Sequence, residues 1–509
     1  MLSTNRPQMD MFTMEVFNRL VPEDHLLVKI DSIINFDFVY EKVKANYQAG
    51  GRGSKDPVMM LKILLLEYLY RLSDVKVADR IATDIVFRWF LGLGIYEKAP
   101  DDTTISHFRV NRLGAENLEE IFNVIVHQCI SLNMVKSRRY LVDSTDVAAN
   151  TSFPSDKNLA NSAFRKLTKE ISKFNASLAK EVQQAYDADL EAEYLKPAKV
   201  RSITHFEIAQ KYLNRLFVDT YEQLQTNEDY IEVFSLCNDL FNQYINKTKD
   251  RIISIVDPDA RVAHKSPGNL KRGYKNHILV DEDSEIILAS SQTPFNVGDE
   301  KQLEVLIAKA EANFNLAPTE LSGDKAYGTI ENRALLKDKK ITSNIAFYKD
   351  AKNENNRLKI TDFSISEDLK SVTCPNGITS KVCTQTNREE KDFMSFKFEL
   401  SDCHNCKFRA QCVPLHKGKP VGAKYLLVPL RYDAFIHDRA RNKTKDFEIA
   451  HDKRFIVERR FATLVLNHGL RRCRYLRITG ARIHITMANL ACNIVRMVNI
   501  IFHPKLAIG

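Results

Sequence analysis

Hydrophobic positions in the first 135 residues recur at helical spacing. Val58–Leu72 is apolar nearly all round, the mark of a buried helix rather than one with a wet face. Ser73 is placed to cap the next helix, and Val75–Leu91 continues with apolar residues about 3.6 apart. A DDTT cluster, Asp101–Thr104, precedes Ile105–Leu113, with Thr103 or Thr104 as the expected N-cap. Gly114 is expected to end that helix and Glu116–Leu132 to form another. A helix-turn-helix reading puts His107, Arg109, Asn111 and Arg112 on a recognition helix. An all-helical packing domain accounts for the same spacing and is the reading the spacing favours.

The pattern then changes. Tyr140–Val142 is a short apolar run that suits a buried strand. Residues 155–250 are helical, heavily charged and poor in Gly and Pro, which predicts two or three long amphipathic helices inserted between strands. Tyr274–Thr293 reads as two strands joined by a turn around Asp281–Ser284. An amphipathic helix over Asp299–Phe314 follows, with Asp299 as its N-cap. Thr319–Ser322 is a strand, Glu331–Asp338 a helix and Ile341–Tyr348 a strand. An irregular cysteine-bearing segment leads to a long helix from Asp438 to about Leu466 and an apolar helix over Ile485–Ile501. This order predicts an α/β fold. It divides the chain into helical residues 1–135, a core from 136–154 and 251–349, a helical insertion at 155–250, a Cys-rich insertion at 350–430 and a C-terminal segment at 431–509.

Composition narrows the class. With 44 % hydrophobic and 27 % charged residues, the 509-residue chain can bury a core. The longest apolar stretch, Val58–Leu72, is broken by Lys62, Glu67 and Arg71, so no membrane span is expected. The N-terminus has no apolar core of a signal peptide, and nine cysteines are too few for a disulfide scaffold, so a reducing cytoplasm is expected. The net charge is +9, unevenly spread. Residues 431–509 hold 16 basic and 6 acidic residues, a balance of +10 that leaves the rest at −1. A basic C-terminal segment points to a polyanion, with nucleic acid first. Within it Arg471, Arg472, Arg474, Arg477 and Arg482 crowd around Tyr475, beside the predicted helix that bears Glu458.

Three carboxylates stand out from the predicted topology. Asp143 follows the Tyr140–Val142 run, Asp324 follows a strand, and Glu458 sits on the long late helix. Other acids compete, but Asp281 and Asp283 fit a hairpin turn and Asp299 fits a cap. Gathered carboxylates suit Mg²⁺, a hard ion that keeps waters and contacts phosphate. Two such ions can activate a water or 3′-OH and stabilise a leaving oxygen. A second cluster is made of thiols. Cys403-x-x-Cys406 with Cys374 and Cys412 could hold a structural Zn²⁺; Cys383, His404 and His416 are further candidates.

The segments VDST (Val142–Thr145), SGDKAYG (Ser322–Gly328), RFIVERRFATL (Arg454–Leu464) and PDDTTISHFRVNRL (Pro100–Leu113) share one resemblance, to which DPDAR (Asp257–Arg261) and GYKNHILVD (Gly273–Asp281) add. Together they resemble the DDE transposases of bacterial insertion sequences, which have an RNase H-like catalytic core. The resemblance implies that Asp143, Asp324 and Glu458 bind two Mg²⁺ or Mn²⁺ ions and that the residues between Asp324 and Glu458 are largely an insertion. It also implies an N-terminal domain for DNA binding or dimerisation. Arg454 and Glu458, at i and i+4, share a helix face, so Arg454 can clamp a phosphate beside the metal. The helix signature's Tyr is His451 here, and its Lys is Val465. His451 can still meet phosphate, and Arg459 or Arg460 is the expected substitute for the lysine. Arg109, Arg112, Arg471, Arg472, Arg474 and Arg477 complete the expected DNA contacts.

The expected function is a transposase acting at the nucleoid. It binds its element's ends as double-stranded DNA, cuts them and joins the 3′-OH ends to target DNA, as a homodimer on DNA. A stand-alone metal-dependent nuclease, or a catalytically dead zinc-containing regulator, are the alternatives.

Overall fold

A computed structural model describes residues 2, 9–48, 50, 53–196, 204–266, 269–348, 357–380, 383–388, 391–416 and 419–504. Its centre is a mixed sheet of β1 (Arg139–Ala148), β2 (Arg261–Ser266), β3 (Asn269–Asp281), β4 (Ile287–Pro294), β5 (Glu320–Gly323) and β6 (Thr342–Ile345). β2 and β4 pair successive parts of β3; then come β1, β5 and β6. β3 runs antiparallel to β1, and β1, β5 and β6 are parallel. Ile278, Leu279 and Val280 of β3 are all fully buried, as expected where both faces of a sheet are covered. The run Tyr140–Val142 is buried as expected, but the strand continues through the more polar residues to Ala148, so Asp143 lies inside β1 and not at its end.

The Arg477–Phe502 helix packs against the sheet and against the Pro57–Leu69 and Gly114–Ser131 helices. These helices share one continuous core with the sheet. Two asparagines on the C-terminal helix fasten it to strands. The Asn493 side chain both accepts from and donates to the Ile287 backbone, at 2.9 and 2.8 Å, and Asn489 pairs with Asn276 of β3 at 2.9 Å. Buried amides paired in this way leave no polar group stranded. By length and composition this helix, and not Val58–Leu72, is apolar enough to cross a membrane, yet most of that apolar stretch is buried inside the protein.

The Pro57–Leu69 helix is buried from Pro57 to Tyr68, as its all-round apolar pattern predicts, with Asp56 capping it and Pro57 at its first turn. Ser73 caps the Asp74–Thr83 helix. The Asp102–His107 helix is capped by Asp101, not by Thr103 or Thr104, and passes into a wide turn, Phe108–Leu113, before the Gly114–Ser131 helix. An Asp is a better cap than a Thr, and Asp101 is reached first.

Two further parts of the chain have their own cores. Residues 156–245 form four long helices, Asp156–Ser172, Ala176–Leu195, His205–Asp219 and Glu228–Ile245, rather than two or three. Phe164, Tyr186, Leu213, Tyr230 and Phe241 pack between them. The Cys-rich part has a small core around Val372, Phe396 and Val428, with a three-stranded sheet over 383–388, 391–397 and 425–429. The single long helix expected from Asp438 is three helices, Tyr432–Arg441, Lys445–Asp452 and Phe455–His468. Thr444 caps the second, which sets the first break.

Candidate active site

Strand register brings two of the three expected carboxylates together. β1 and β5 pair in parallel from Arg139 with Glu320 to Val142 with Gly323. The next residue on each strand is an aspartate, Asp143 and Asp324. Gly323 is required at that close approach, because a Cβ there would stand 2.7 Å from Cγ1 of Val142. β5 leaves the sheet at Asp324, which accepts from the Lys325 N–H at 2.7 Å as the chain turns. Beyond this point, among the described residues, no strand pairs with β1 on that side until Ala148, which bonds the backbone of Arg471 and Cys473. A cleft of about 260 Å³ opens along the uncovered edge, lined by Asp143, Ser144, Asp324, Asp299, Lys275 and Phe295 among others.

Arg454 bridges the pair, its guanidinium 3.8 Å from Asp143 and 3.7 Å from Asp324. Burial pushes the Asp143 carboxyl up to about 6; the Ser144 N–H and Arg454 pull it down, and Asp324 and Asp299 add to the rise. Glu458 is exposed in the first turn of the Phe455–His468 helix. Three buried nitrogens near the aspartates have no hydrogen-bond partner among the described residues: Nε of Arg454, Nδ1 of His451 and Nδ1 of His277. The two aspartates, hard oxygen donors on one cleft, fit a hydrated hard cation such as Mg²⁺. Glu458 is not gathered with them: among the described residues no three Asp, Glu, His or Cys side chains are grouped so as to hold one ion.

Asp299 is a site residue that sequence reading missed. It is not an N-cap; Gly298 takes the cap position of the turn that starts at Asp299. Its carboxylate instead accepts from Nζ of Lys275 at 2.7 Å. The two are 24 residues apart, and no local pattern links them. The GYKNHILVD and DPDAR segments prove to be interlocked. Gly273, at φ +134°, lies so close to β1 that a Cβ would strike the Val147 carbonyl oxygen. Tyr274 donates to Asp257 at 2.5 Å, and Asp257 and Asp259 accept from the N–H groups of Arg477 and Ile478 at the start of the C-terminal helix.

The basic residues divide by where they point. Arg471 and Arg472 are exposed on the turn beside Ala148; Arg471 lies 3.2 Å from Asp146, and Arg472 makes no ion pair among the described residues. Arg109 is buried between Asp74 and Glu67 with its guanidinium over Tyr475, so it does not reach the surface for DNA. Arg460 is buried against Glu285 and Cys492, and the expectation of DNA contact fails there too. Arg459 pairs with Glu285 as well, so neither arginine is turned to the cleft in place of the missing lysine. Val465 packs against the core. Arg474 points inwards, donating to the carbonyls of Leu72 and Glu67. Arg477 pairs with Glu232, Arg482 with Glu116 and Glu119, and Arg112 bonds the Asn46 backbone and stacks on Tyr47. His451 stacks on Phe447, and its imidazole pKa is lowered by burial and by Arg454.

Cys374, Cys403, Cys406 and Cys412 line one cavity of about 20 Å³. All four are half-buried and unbridged, and burial raises the Cys412 thiol. The side chain of Cys383 lies outside the described residues.

Two family models match the chain. One, described as a transposase domain (DUF772), covers residues 15–111; the other, described as a transposase DDE domain, covers residues 373–498. The second takes in Arg454 and Glu458 and stops short of Asp143 and Asp324. No curated protein and no solved structure matches.

Proposed function

We propose that this chain, which two transposase family models match, is a DDE transposase of an insertion element, a metal-dependent DNA cleavage and transfer enzyme, and that its working site is the cleft beside β1. The mixed sheet fits the RNase H-like core that a DDE domain implies. The Asp143–Asp324 pair bridged by Arg454 supports this reading most. Asp143 and Asp324 would hold the divalent ion, and Glu458, four residues past Arg454, would join them when DNA is bound. Mg²⁺ or Mn²⁺ bound there would lower the cost of generating the attacking oxygen and of charge on the leaving one. Arg454 would neutralise a non-bridging phosphate oxygen as charge builds on it. Arg471 and Arg472, exposed beside Ala148 at the far end of β1, would hold the backbone of double-stranded DNA, and His451 would meet a phosphate beside Arg454.

In this reading the protein binds the ends of its own element in the cytoplasm, at the nucleoid. It cuts them and joins the 3′-OH ends to target DNA as a homodimer. The four thiols of the Cys-rich insertion line one cavity without being drawn together as ligands, and closing on a structural Zn²⁺ they would supply a soft donor set.

The test is incubation with duplex DNA carrying the sequences that flank the gene, in Mg²⁺ or EDTA, beside Asp324→Ala. Cleavage followed by joining, lost in EDTA and in Asp324→Ala, is expected. Cleavage that persists in Asp324→Ala refutes the site. Cutting without joining makes the protein a nuclease, and binding without cutting makes it a regulator.

A further inference from the structure

The Phe455–His468 helix leaves a gap in the chemistry of the cleft. Its signature lysine position is Val465, which faces the core, and Arg459 and Arg460 are turned to Glu285. The ammonium that does line the cleft comes from another part of the chain. Lys275 of β3 lies across the strand pair from Asp146 and shares the cleft with Asp143 and Asp324. Its Nζ donates to the Val297 carbonyl at 2.8 Å and to Asp299 at 2.7 Å. An ammonium has three N–H donors, so these two bonds fix its position and leave one donor.

The support for Lys275 is itself built in. Asp299 stands between Lys275 and Nδ1 of His277, 3.8 Å away. His277 is fully buried, its Nε2 bonded to Thr293 at 2.9 Å and its Nδ1 without a partner. Behind the cleft Tyr327 is fully buried and feels the charges of Asp299, Asp143 and Asp324. A pinned, mostly buried ammonium that lines the cleft with one donor unspent marks a place for an anionic ligand that is held in one position.

We propose that Lys275, positioned by Asp299, contacts one DNA phosphate beside the scissile bond and takes the role that Val465 leaves open in the helix signature. This rests on the transposase reading.

The test measures binding in EDTA of a duplex copying the sequences that flank the gene, with a neutral methylphosphonate placed at one backbone position at a time near the cut. Lys275→Ala is expected to weaken binding several-fold and to lower the slope of log affinity against log salt by about one. In wild type one methylphosphonate position should cost affinity; in Lys275→Ala that same position should cost nothing further. Lys275→Arg should retain the effect. Asp299→Asn keeps the cation but frees it, so the slope should persist while the dependence on that one position fades. Melting temperatures of the four proteins separate these effects from misfolding, since a folding defect lowers affinity at every position alike. Unchanged slope and pattern in Lys275→Ala would overturn the inference. If wild type itself does not bind the duplex, the transposase reading falls and this inference with it.

Discussion

Glu67 is fully buried where the Pro57–Leu69 helix meets the turn that carries Arg474. Arg109 and Arg474 each approach its carboxylate at 3.5 Å, and neither oxygen accepts a hydrogen bond. Burial, reinforced by Asp74, outweighs the two arginines and pushes the carboxyl from 4.5 up to about 8. The folded chain therefore keeps a proton over a range in which the unfolded chain has released it. Stability falls as pH rises from about 4.5 to about 8, after which both states are ionised and the fall stops. At about 1.4 kcal/mol per pH unit, the whole loss is on the order of 5 kcal/mol, most of it above pH 5.5. Glu67→Gln removes the titration and keeps the shape. Unfolding of wild type and Glu67→Gln, followed in parallel at pH 5.5, 7 and 8.5, isolates this group because all others cancel in the difference. The variant should gain a few kcal/mol (on the order of 3) on wild type between the two extremes. A difference that stays constant with pH would refute the reasoning and mean that Arg109 and Arg474 hold Glu67 ionised throughout.

Arg109→Ala takes the partner from Asp74 and a positive charge from Glu67, so the unfolding midpoint should drop and Glu67 should hold its proton to still higher pH, which moves the pH dependence described above upwards. Arg472→Ala should leave that midpoint unchanged while lowering the salt slope of DNA binding by about one. Gly323→Ala drives a methyl group into Val142 and should cost about 1–3 kcal/mol. The same shift parts Asp143 from Asp324, so Mg²⁺-dependent cleavage should fall more than the loss of folded protein explains. Metal analysis of the purified chain should find one zinc per molecule, lost in the double variant Cys403→Ser, Cys406→Ser; equal zinc in both would remove the thiols from the role.

Elements governed by local physics were legible in the sequence. The Pro57–Leu69 helix follows from an apolar run with no wet face, and Ser73 caps as its chemistry dictates. Asp143 and Asp324 each end a short buried run, but it is the resemblance of VDST and SGDKAYG to transposase motifs that singles them out from competing acids; the length of β1 is not legible, because its outer half is polar and has no strand beside it on the β5 side. What failed depended on distant partners. Asp299 looked like a cap because nothing nearby announces Lys275. The arginine density around Tyr475 looked like one DNA-facing surface, but Arg474 turns to the carbonyls of Glu67 and Leu72, more than 400 residues away in sequence, while Arg472 faces outwards. Direction is a property of packing, and charge counting does not contain it.

The core also imposes an order of assembly on a chain that is made from one end. Asp143 emerges roughly 300 residues before Arg454, which at ~5–20 residues per second is about 15–60 s of synthesis. The helix that closes the core on Pro57–Leu69 and β4, Arg477–Phe502, emerges last of the described elements. Until then the N-terminal helices lack the apolar surface they bury against, and the two aspartates lack the guanidinium that bridges them. The acidic cleft is thus complete only on a chain whose last helix has docked, and a nascent chain with its aspartates already in place does not yet have the site.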